Sequence, residues 1–269
     1  MFGLQMRQLL KRESLNQVRD PKEFRVRILR QVIIGLLIIP VFWKLDGNSR
    51  QEIYGMAGAL FFIATNQVMM SLQSAVLAFQ MERPIFLREQ AEKMYGVAPY
   101  YLAKVIIELP SIIISGVLFS CIVYFGIGLY PNVWAWLRFT FVILLLGFAS
   151  SAYGHFISIL FNTPETAVAA SPIILLPLVI LGGFFTNSGN VPSWIAWLQY
   201  ISPTRYGFES ELQNEFSFRE DEIPPQNNPV NFLAFGLGYA AAMFLLVAVS
   251  ITLRILTILL LKVKVSKFQ

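Results

Sequence analysis

The chain holds one histidine and one cysteine, so few of its side chains are suited to acid–base or nucleophilic chemistry. His155 has three serines near it in sequence: Ser150, Ser151 and Ser158. A serine hydrolase needs one of them activated by the imidazole, yet the Gly-x-Ser-x-Gly turn typical of such a nucleophile is absent. Ser151 precedes His155 by one helical turn, a spacing typical of helix packing. We therefore favour a structural role for His155, bonded to a neighbouring helix, over a cavity-lining or a catalytic one.

Metal binding and nucleotide binding have no motif in this sequence. A metal site takes several nitrogen, sulfur or carboxylate ligands, and His155 with Cys121 supplies too few. The phosphate-binding loop Gly-x-x-x-x-Gly-Lys-Ser/Thr does not occur either. The sequence therefore predicts no metal, no cofactor and no enzymatic activity in this chain itself.

Charged side chains cluster between the second and third apolar runs of the chain. They would pay a large desolvation cost in hydrocarbon, so this segment must leave the bilayer. Pro84 is typical of the first turn of a helix, and two pairs, Arg88 with Glu92 and Glu89 with Lys93, have i,i+4 spacing. The pattern predicts a short amphipathic helix between two spans. It is either a solvated connector or a coupling helix, through which a soluble motor moves the spans.

The composition identifies a membrane protein. Of the 269 residues, 56% are hydrophobic and 14% are charged, which leaves too little polar surface for a soluble globule. Few runs show the period-two alternation of a membrane β-barrel. Cys121, which lies inside an apolar run, is the single cysteine of the sequence, so no disulfide can form within the chain. The sequence predicts an all-α membrane protein.

Six long apolar runs predict six transmembrane helices, since about 20 residues cross a bilayer. Before them, apolar residues at helical spacing with basic residues between them predict an amphipathic elbow helix in the membrane interface. The chain then divides into residues 1–26, the elbow helix and a linker, and residues 27–269, the six-span domain. The predicted spans are 28–45, 53–79, 99–130, 134–161, 166–185 and 232–261.

A long outer loop, residues 186–230, separates the fifth and sixth spans. Trp194, Trp197 and Ile201 recur at helical spacing, so the loop is expected to contain short re-entrant helices, one with a Trp-rich face. The rest of the loop is expected to be an acidic, solvated segment. Its acidic residues are Glu209, Glu211, Glu215, Glu220, Asp221 and Glu222.

Polar residues inside the spans have two interpretations. Thr65, Asn66 and Gln67 of the second span either join helices through hydrogen bonds or line a cavity, and the pattern alone favours the first. Arg254, in the last span, is close enough to the end of its helix to extend its side chain to the membrane surface.

Basic residues set the predicted orientation. They concentrate before the first span, around the charged segment after the second, and at the C-terminus. The positive-inside rule places both termini and the charged segment in the cytoplasm. We expect an integral membrane protein of the plasma membrane rather than an organelle, and the net charge of +5 reflects topology rather than nucleic-acid binding.

Several short motifs follow one another in a characteristic order. They are Asn16-Gln17-Val18-Arg19-Asp20-Pro21, Gly58-Ala59-Leu60-Phe61-Phe62, Phe86-Leu87-Arg88-Glu89, Glu108-Leu109-Pro110, Arg205-Tyr206-Gly207-Phe208 and Asn214-Glu215-Phe216. This order resembles the transmembrane domain of the ABCG (White/pleiotropic drug resistance) ATP-binding cassette transporters, an ABC-2 type membrane domain. The resemblance extends over essentially the whole chain.

The resemblance implies a role for three sets of residues. Two units would pack as a homodimer or heterodimer around a central cavity for a hydrophobic small molecule or lipid, lined by Phe61, Phe62, Thr65, Asn66, Met69, Leu176 and Val179. Phe184 and Phe185 would form an outer gate. Coupling to an ATP-binding cassette, which would supply ATP and Mg, would involve Glu82, Phe86, Arg88, Glu89 and Tyr95.

Three departures from the family pattern qualify these expectations. No ATP-binding cassette is present in this sequence, so the chain is either a separate permease subunit or part of a longer one. Met69 stands where the multidrug exporter of the family has an aromatic clamp, and the outer loop lacks the cysteines of several relatives. The leading function is an ATP-driven exporter of amphipathic or lipid-like substrates. The alternatives are a polysaccharide or lipid-precursor permease and a scaffold that does not transport.

Overall fold

The computed structural model describes residues 2–19, 21–43, 49–186, 191–219, 223–224 and 227–266, with the backbone alone at Val18. All regular secondary structure in these ranges is helical. The α-helices are α1 (Phe2–Arg19), α2 (Lys22–Val41), α3 (Arg50–Ala91), α4 (Val97–Ile127), α5 (Val133–Leu160), α6 (Pro164–Ile180), α7 (Pro203–Ser217), α8 (Pro229–Phe232) and α9 (Tyr239–Ser266), and a 3₁₀ helix covers Ala196–Ile201.

Local sequence explains where the long helices begin and end. The Ser49 side chain accepts a backbone N–H at 3.2 Å at the start of α3, and Asn132 caps α5 in the same way at 2.8 Å. Thr163 caps α6, whose first residue, Pro164, has no N–H to leave unpaired. Helix α4 ends at Gly128, which adopts a left-handed φ of 83°.

The centre of the bundle is the packing of α5 against α3. Helix α5 also contacts α4, α7 and α9, while α1 and α2 lie against α4 and α6 contacts α3 and α7. At Gly154 the two central helices approach so closely that a Cβ atom would lie 2.6 Å from the backbone oxygen of Leu72. Since backbone cannot yield as a flexible side chain does, this crossing requires glycine.

Four of the described helices are long and apolar enough to cross a membrane: α3, α4, α5 and α9. The predicted first and fifth spans correspond to α2, which is charged along its first turns, and to α6, which has 17 residues. The predicted sixth span was placed too early, because residues 229–232 form the separate helix α8 and a turn precedes α9 at Tyr239. The all-α membrane fold is confirmed, and the count of six spans stays a prediction.

The predicted break at Pro84 was wrong. Helix α3 is continuous over 42 residues, so the second span and the charged segment are one helix with Pro84 inside it. Side chains on either side of the proline bind the end of α5: Gln80 donates to the Ser158 carbonyl at 2.7 Å, and Arg83 donates to the Phe161 carbonyl. These contacts hold the helix in line where the proline removes a backbone hydrogen bond.

The contacts define two ends of the bundle. The α1 end contains α1, the C-terminal parts of α3, α5 and α9, and the start of α4. The α7 end contains α7, α8, the 3₁₀ helix and the starts of α3, α5 and α9. Examples of contacts within each end are the hydrogen bond from the Gly96 N–H to the Gln5 side-chain oxygen at the α1 end and that from the Asn214 side-chain amide to the Ala135 carbonyl at the α7 end.

Replacing Gly154 with Ala is expected to destabilise the bundle, because overpacking of this kind costs about 1–3 kcal/mol. The matched control is Gly3→Ala in α1, where a Cβ meets no atom within 4 Å. Thermal unfolding of the purified variants should give a lower melting temperature for Gly154→Ala and an unchanged or higher one for Gly3→Ala. Equal melting temperatures for Gly154→Ala and the parent protein would show that the crossing tolerates a side chain.

Candidate functional site

Glu89 connects three elements at the α1 end. One carboxylate oxygen accepts a hydrogen bond from Arg12 of α1 at 2.7 Å, and the other accepts one from the Tyr95 hydroxyl at 2.5 Å. Burial and the Glu89 carboxylate raise the pKa of Tyr95, so its hydroxyl remains a proton donor well above neutral pH. The last turns of α3 are thus joined both to α1 and to the loop that leads into α4.

Glu82, which lies about two helical turns before Glu89 on α3, forms a second connection. It pairs with Lys104 of α4 and accepts a hydrogen bond from the Tyr100 hydroxyl at 3.3 Å. Between the two acids, Phe86 is buried and its ring stacks on Tyr100 with centroids 4.4 Å apart. Four of the five predicted coupling residues, Glu82, Phe86, Glu89 and Tyr95, are therefore bound to neighbouring elements.

Arg88 is the fifth predicted coupling residue, and its side chain is exposed. The expected pairing of Glu89 with Lys93 does not form, because Glu89 is bound to Arg12 and Tyr95 instead. Lys93 lies beyond the end of α3 with a positive φ of 54°, so it is not on a helical face. A cavity of about 250 Å³ lies beside this segment. It is lined by Arg12, Glu13, Asn16, Glu82, Ile85, Phe86, Glu89 and Tyr100.

A layer of polar side chains lies deeper in the bundle. Glu108 of α4 pairs with Arg27 of α2 at 3.3 Å, and its other oxygen lies 3.5 Å from His155 Nε2. His155 Nδ1 is 3.3 Å from the Tyr101 hydroxyl. The histidine is fully buried and contacts a neighbouring helix as expected, and its polar contacts in the described structure are Glu108 and Tyr101 rather than a serine.

Two further polar residues join helices. Gln67 accepts a hydrogen bond from Gln31 at 2.9 Å and donates to the Ile143 carbonyl at 3.3 Å, so it connects α2, α3 and α5. Arg254 of α9 donates to Ser151 at 2.9 Å and stacks on the Phe148 ring of α5. The expectation that Arg254 extends to the membrane surface was wrong, because these contacts hold its side chain inside the bundle.

The residues expected to line a substrate cavity fall into two environments. Phe61 is buried, and Met69 and Val179 pack against the core. Phe62 and Leu176 are 48% and 55% exposed, so they face outward from the single chain. Thr65 Oγ1 and Asn66 Nδ2 are buried atoms without a hydrogen-bond partner in the described structure.

The two residues expected to form a gate belong to an aromatic cluster. Phe184 stacks on Phe61 with centroids 5.0 Å apart, and Phe185 meets Phe61 edge to face at 5.3 Å. Phe208 of α7 packs against Phe61 and Phe184, which joins α3, the end of α6 and α7. Gly183, with a φ of 99°, provides the turn that brings Phe184 back to α3.

Helix α7 overturns the expectation of a solvated acidic loop. Glu209, Glu211 and Glu215 are all buried. Glu215 accepts hydrogen bonds from the Tyr130 N–H and from Arg219, both at 2.9 Å, and Glu209 accepts one from the Leu237 N–H at 2.8 Å. Burial raises the pKa of Glu209 to about 7, although the Leu237 hydrogen bond opposes this.

Glu211 differs from the other two acids of α7. Neither carboxylate oxygen has a hydrogen-bond partner in the described structure, and burial raises its pKa well above the ordinary range. Glu220, Asp221 and Glu222 lie outside the described residues. The Trp-rich segment is the 3₁₀ helix and the turn before it, with Trp194 and Trp197 75% and 60% exposed.

The described residues contain no group of three or more His, Cys, Asp or Glu side chains that could hold a metal ion. A family model described as "ABC-2 type transporter" matches residues 4–216, well over half of the chain. The chain belongs to this family.

Curated relatives place this ABC-2 membrane domain in the ABCG group. It is 31% identical to the Protein white of Ceratitis capitata and 32% identical to the ABC transporter G family member 1 of Arabidopsis thaliana, each over 214 residues. It is 31% identical over 216 residues to the "Broad substrate specificity ATP-binding cassette transporter ABCG2" of Sus scrofa. The alignments cover 80% of this chain but 29% to 33% of the relatives, so the ABC-2 membrane domain spans about a third of their length.

Sequence reasoning missed the partners of the coupling residues. Arg12 and Glu89 are 77 positions apart, and Lys104 is 22 positions from Glu82. The sequence did show that Arg12 is a basic residue on the amphipathic N-terminal helix. It did not show which of the acidic residues of the charged segment is its partner. Arg27, Glu108 and His155 were likewise visible as ionisable residues near or within spans, although no local pattern indicates that they meet.

Replacement of a buried glutamate of α7 by glutamine is expected to have opposite effects on the melting temperature at Glu211 and at Glu215. Since folded Glu211 holds its proton at pH values where the unfolded chain has lost it, stability falls as pH rises above the ordinary value of about 4.5. Glu211→Gln should therefore raise the melting temperature at pH 8, and the gain should shrink toward pH 5. Glu215→Gln should lower the melting temperature at pH 8, because it weakens the bonds to Arg219 and Tyr130.

Thermal unfolding of both variants and the parent protein from pH 5 to pH 8 tests this. If Glu211→Gln lost stability at pH 8 as Glu215→Gln does, Glu211 would have to be an ionised, partnered carboxylate.

Proposed function

We propose that this chain is the membrane-spanning half of an ABCG-type exporter, which moves an amphipathic or lipid-like substrate outward across the membrane. ATP and Mg would be used by an ATP-binding cassette outside the residues of this sequence, on the same longer polypeptide or on a partner. The observation that carries the proposal is the connection of Arg12, Glu89 and Tyr95, which joins the elbow helix to the end of the longest helix. Membership of the ABC-2 family supports it.

The proposed orientation puts the α1 end in the cytoplasm. This end carries Arg12, Arg83, Lys104 and Lys264, whereas the acids of α7 lie at the other end. The positive-inside rule favours this arrangement, with both termini cytoplasmic and a plasma-membrane location. A cytoplasmic cassette would then meet the charged part of α3.

Exposed apolar side chains on this part of α3 suit a docked cassette. Met81 and Ile85 are 75% and 53% exposed, and Met94, just after the helix, is 60% exposed. Exposed apolar residues grouped beside polar ones are typical of a protein contact surface. The cassette would bind over this surface and over the neighbouring cavity of about 250 Å³.

The continuity of α3 provides the mechanical link. A straight helix of 42 residues is about 63 Å long at 1.5 Å per residue. A cassette that displaces the Glu82–Tyr95 segment would thus move a rigid element that reaches Phe61 and the aromatic cluster at the α7 end. Because Glu89 is bound to Arg12 and Glu82 to Lys104, α1 and α4 would move with it.

The proposed transport path lies between two copies of the membrane domain, as a homodimer or heterodimer. Phe62, Leu176 and Phe185 are exposed in the single chain, and Thr65 and Asn66 hold buried polar atoms without partners. A second copy over this surface would enclose an apolar cavity with a few polar groups. Such a lining suits amphipathic molecules, and the relative from Sus scrofa carries the description "broad substrate specificity".

Transport would follow from the difference between two states. ATP binding would draw the paired α1 ends together and close the inner side of the path, while Phe184 and Phe185 separate from their copies at the outer side. Only a difference in substrate affinity between the two states makes the cycle move substrate. Aromatic contacts among Phe61, Phe184 and Phe208 would hold the gate closed at rest.

The rate of ATP hydrolysis by the reconstituted chain with candidate cassette proteins tests the function. Hydrolysis that depends on the cassette and is stimulated by a hydrophobic substrate is expected. The absence of stimulation with every cassette tested would point to a scaffold that does not transport.

The coupling residues predict a specific loss. Glu89→Lys places a cation against Arg12 and removes the acceptor of Tyr95, so substrate transport should fall at least tenfold while cassette-driven hydrolysis continues. The control Glu92→Lys makes the same charge change at an exposed position three residues away. Transport should return in part when Arg12→Glu is added to Glu89→Lys. Normal transport by Glu89→Lys would remove the coupling role.

The proposed dimer predicts a cross-link at Leu176. With Cys121 replaced by Ser, Leu176→Cys provides the only thiol of the chain. Mild oxidation in membranes should give a covalent dimer on denaturing gels. The control Phe125→Cys has similar exposure, 66% against 55%, on a different helix and should stay monomeric. Cross-linking at Phe125 in place of Leu176 would move the interface to α4.

A further inference from the structure

A cavity of about 740 Å³ opens at the α7 end of the bundle. It lies between the start of α5, the end of α7, α8 and the turn before α9. Its polar lining includes Arg138, Gln213, Ser217 and Asn231, and its apolar lining includes Phe216 and Tyr239. None of these residues belongs to the proposed transport path or to the coupling segment.

Arg138 is the cation of this cavity. Its guanidinium carbon lies 4.3 Å from the centroid of the Tyr239 ring and 5.6 Å from that of Phe218, and the Tyr239 hydroxyl donates to the Arg138 carbonyl at 3.0 Å. No carboxylate in the described part of the chain lies within ion-pair distance of Arg138. Arg219 at the same end, by contrast, is paired with Glu215 at 2.9 Å.

An arginine held beside two rings can still bind an anion. Its five N–H groups match the paired oxygens of phosphate or carboxylate. Half-buried between rings, the side chain is also held in place before a ligand arrives. Among the described residues, Arg138 is therefore a cation without a carboxylate partner, which suits it to bind an anion.

The surroundings point to a lipid as the source of that anion. Arg138 lies five residues after the start of α5, about 7.5 Å along the axis, so it is near one end of a helix long and apolar enough to cross a membrane. Neighbouring side chains on the same helix are exposed and apolar: Trp134 at 71% and Phe141 at 54%. Phe244, which lies five residues after Tyr239 on α9, is 72% exposed. An acyl chain beside these residues would leave its head group at the cavity.

We propose that this cavity binds the anionic head group of a membrane lipid or similar amphiphile, with its phosphate or carboxylate on Arg138. Gln213, Ser217 and Asn231 surround the polar part of the head group. Gly236 and Gly238 form part of the wall, and a Cβ at either would meet no atom within 4 Å, so the ligand can approach the backbone there. The site needs only a membrane surface at the α7 end, and it does not depend on the direction of transport or on a cassette.

The test compares lipid retention by the purified chain in native mass spectrometry after exchange into mixed phosphatidylglycerol and phosphatidylcholine. Phosphatidylglycerol should be retained preferentially, and Arg138→Gln should weaken its retention about tenfold, the effect of a lost charge-assisted hydrogen bond. The matched control is Arg50→Gln, which removes an exposed arginine near Tyr54 at the same end but outside the cavity. Its retention of phosphatidylglycerol should equal that of the parent protein.

Two further measurements keep the result interpretable. Gly236→Val fills open space in the cavity without changing its charge, so it should weaken the retention of phosphatidylglycerol. This variant tests the site independently in case Arg138→Gln does not fold. Added glycerol phosphate distinguishes the sources of the anion: displacement of the lipid by it supports a site for soluble anions, and no displacement supports a lipid that needs its chains. Equal retention by parent, Arg138→Gln and Gly236→Val, or an equal loss in Arg50→Gln, would overturn the site.

Discussion

The bundle depends on the cost of leaving a polar group unpaired in hydrocarbon. Glu108 illustrates the constraint, because it lies among helices at membrane depth and pairs with Arg27 while lying close to His155. Gln67 satisfies the same requirement between Gln31 and the Ile143 carbonyl. Each of these contacts joins helices that apolar packing alone would leave free to slide, since lipid chains are as apolar as the helix surfaces. Polar pairing therefore fixes the register of α2, α4 and α5 around α3.

The same requirement organises the two ends differently. At the α1 end, Glu82 and Glu89 find cationic and hydroxyl partners, so the end of α3 is bound firmly to α1 and α4. At the α7 end, both carboxylate oxygens of Glu211 and one oxygen of Glu209 lack hydrogen-bond partners in the described structure. Buried polar groups without partners lower local stability, and regions of low local stability are the ones that rearrange. An end that transmits force and an end that opens would need these properties.

The chain also shows how one long element relates distant sites. Helix α3 carries Glu89 near one terminus and Phe61 near the aromatic cluster, and α5 packs along it with a backbone approach that only Gly154 permits. Arg254 of α9 donates a hydrogen bond to Ser151, so α9 is joined to α5 and through it to the central pair of helices. Arg138 lies outside this central packing, in the lining of the cavity at the α7 end, so a head group bound there would contact α5, α7 and the turn before α9.

The sequence by itself determined the membrane class, the approximate positions of the long apolar helices, the Trp-rich face of the long loop and the family. These features follow from composition, apolar run length, the spacing of apolar residues and motif order, all of which are local. Only the tertiary structure decided that α3 passes through Pro84 without a break, that Glu211 is buried, that Arg254 points inward and that Glu89 meets Arg12. Each of these depends on contacts between residues far apart in the chain, and local patterns carry no information about which partner is close enough to satisfy a charge.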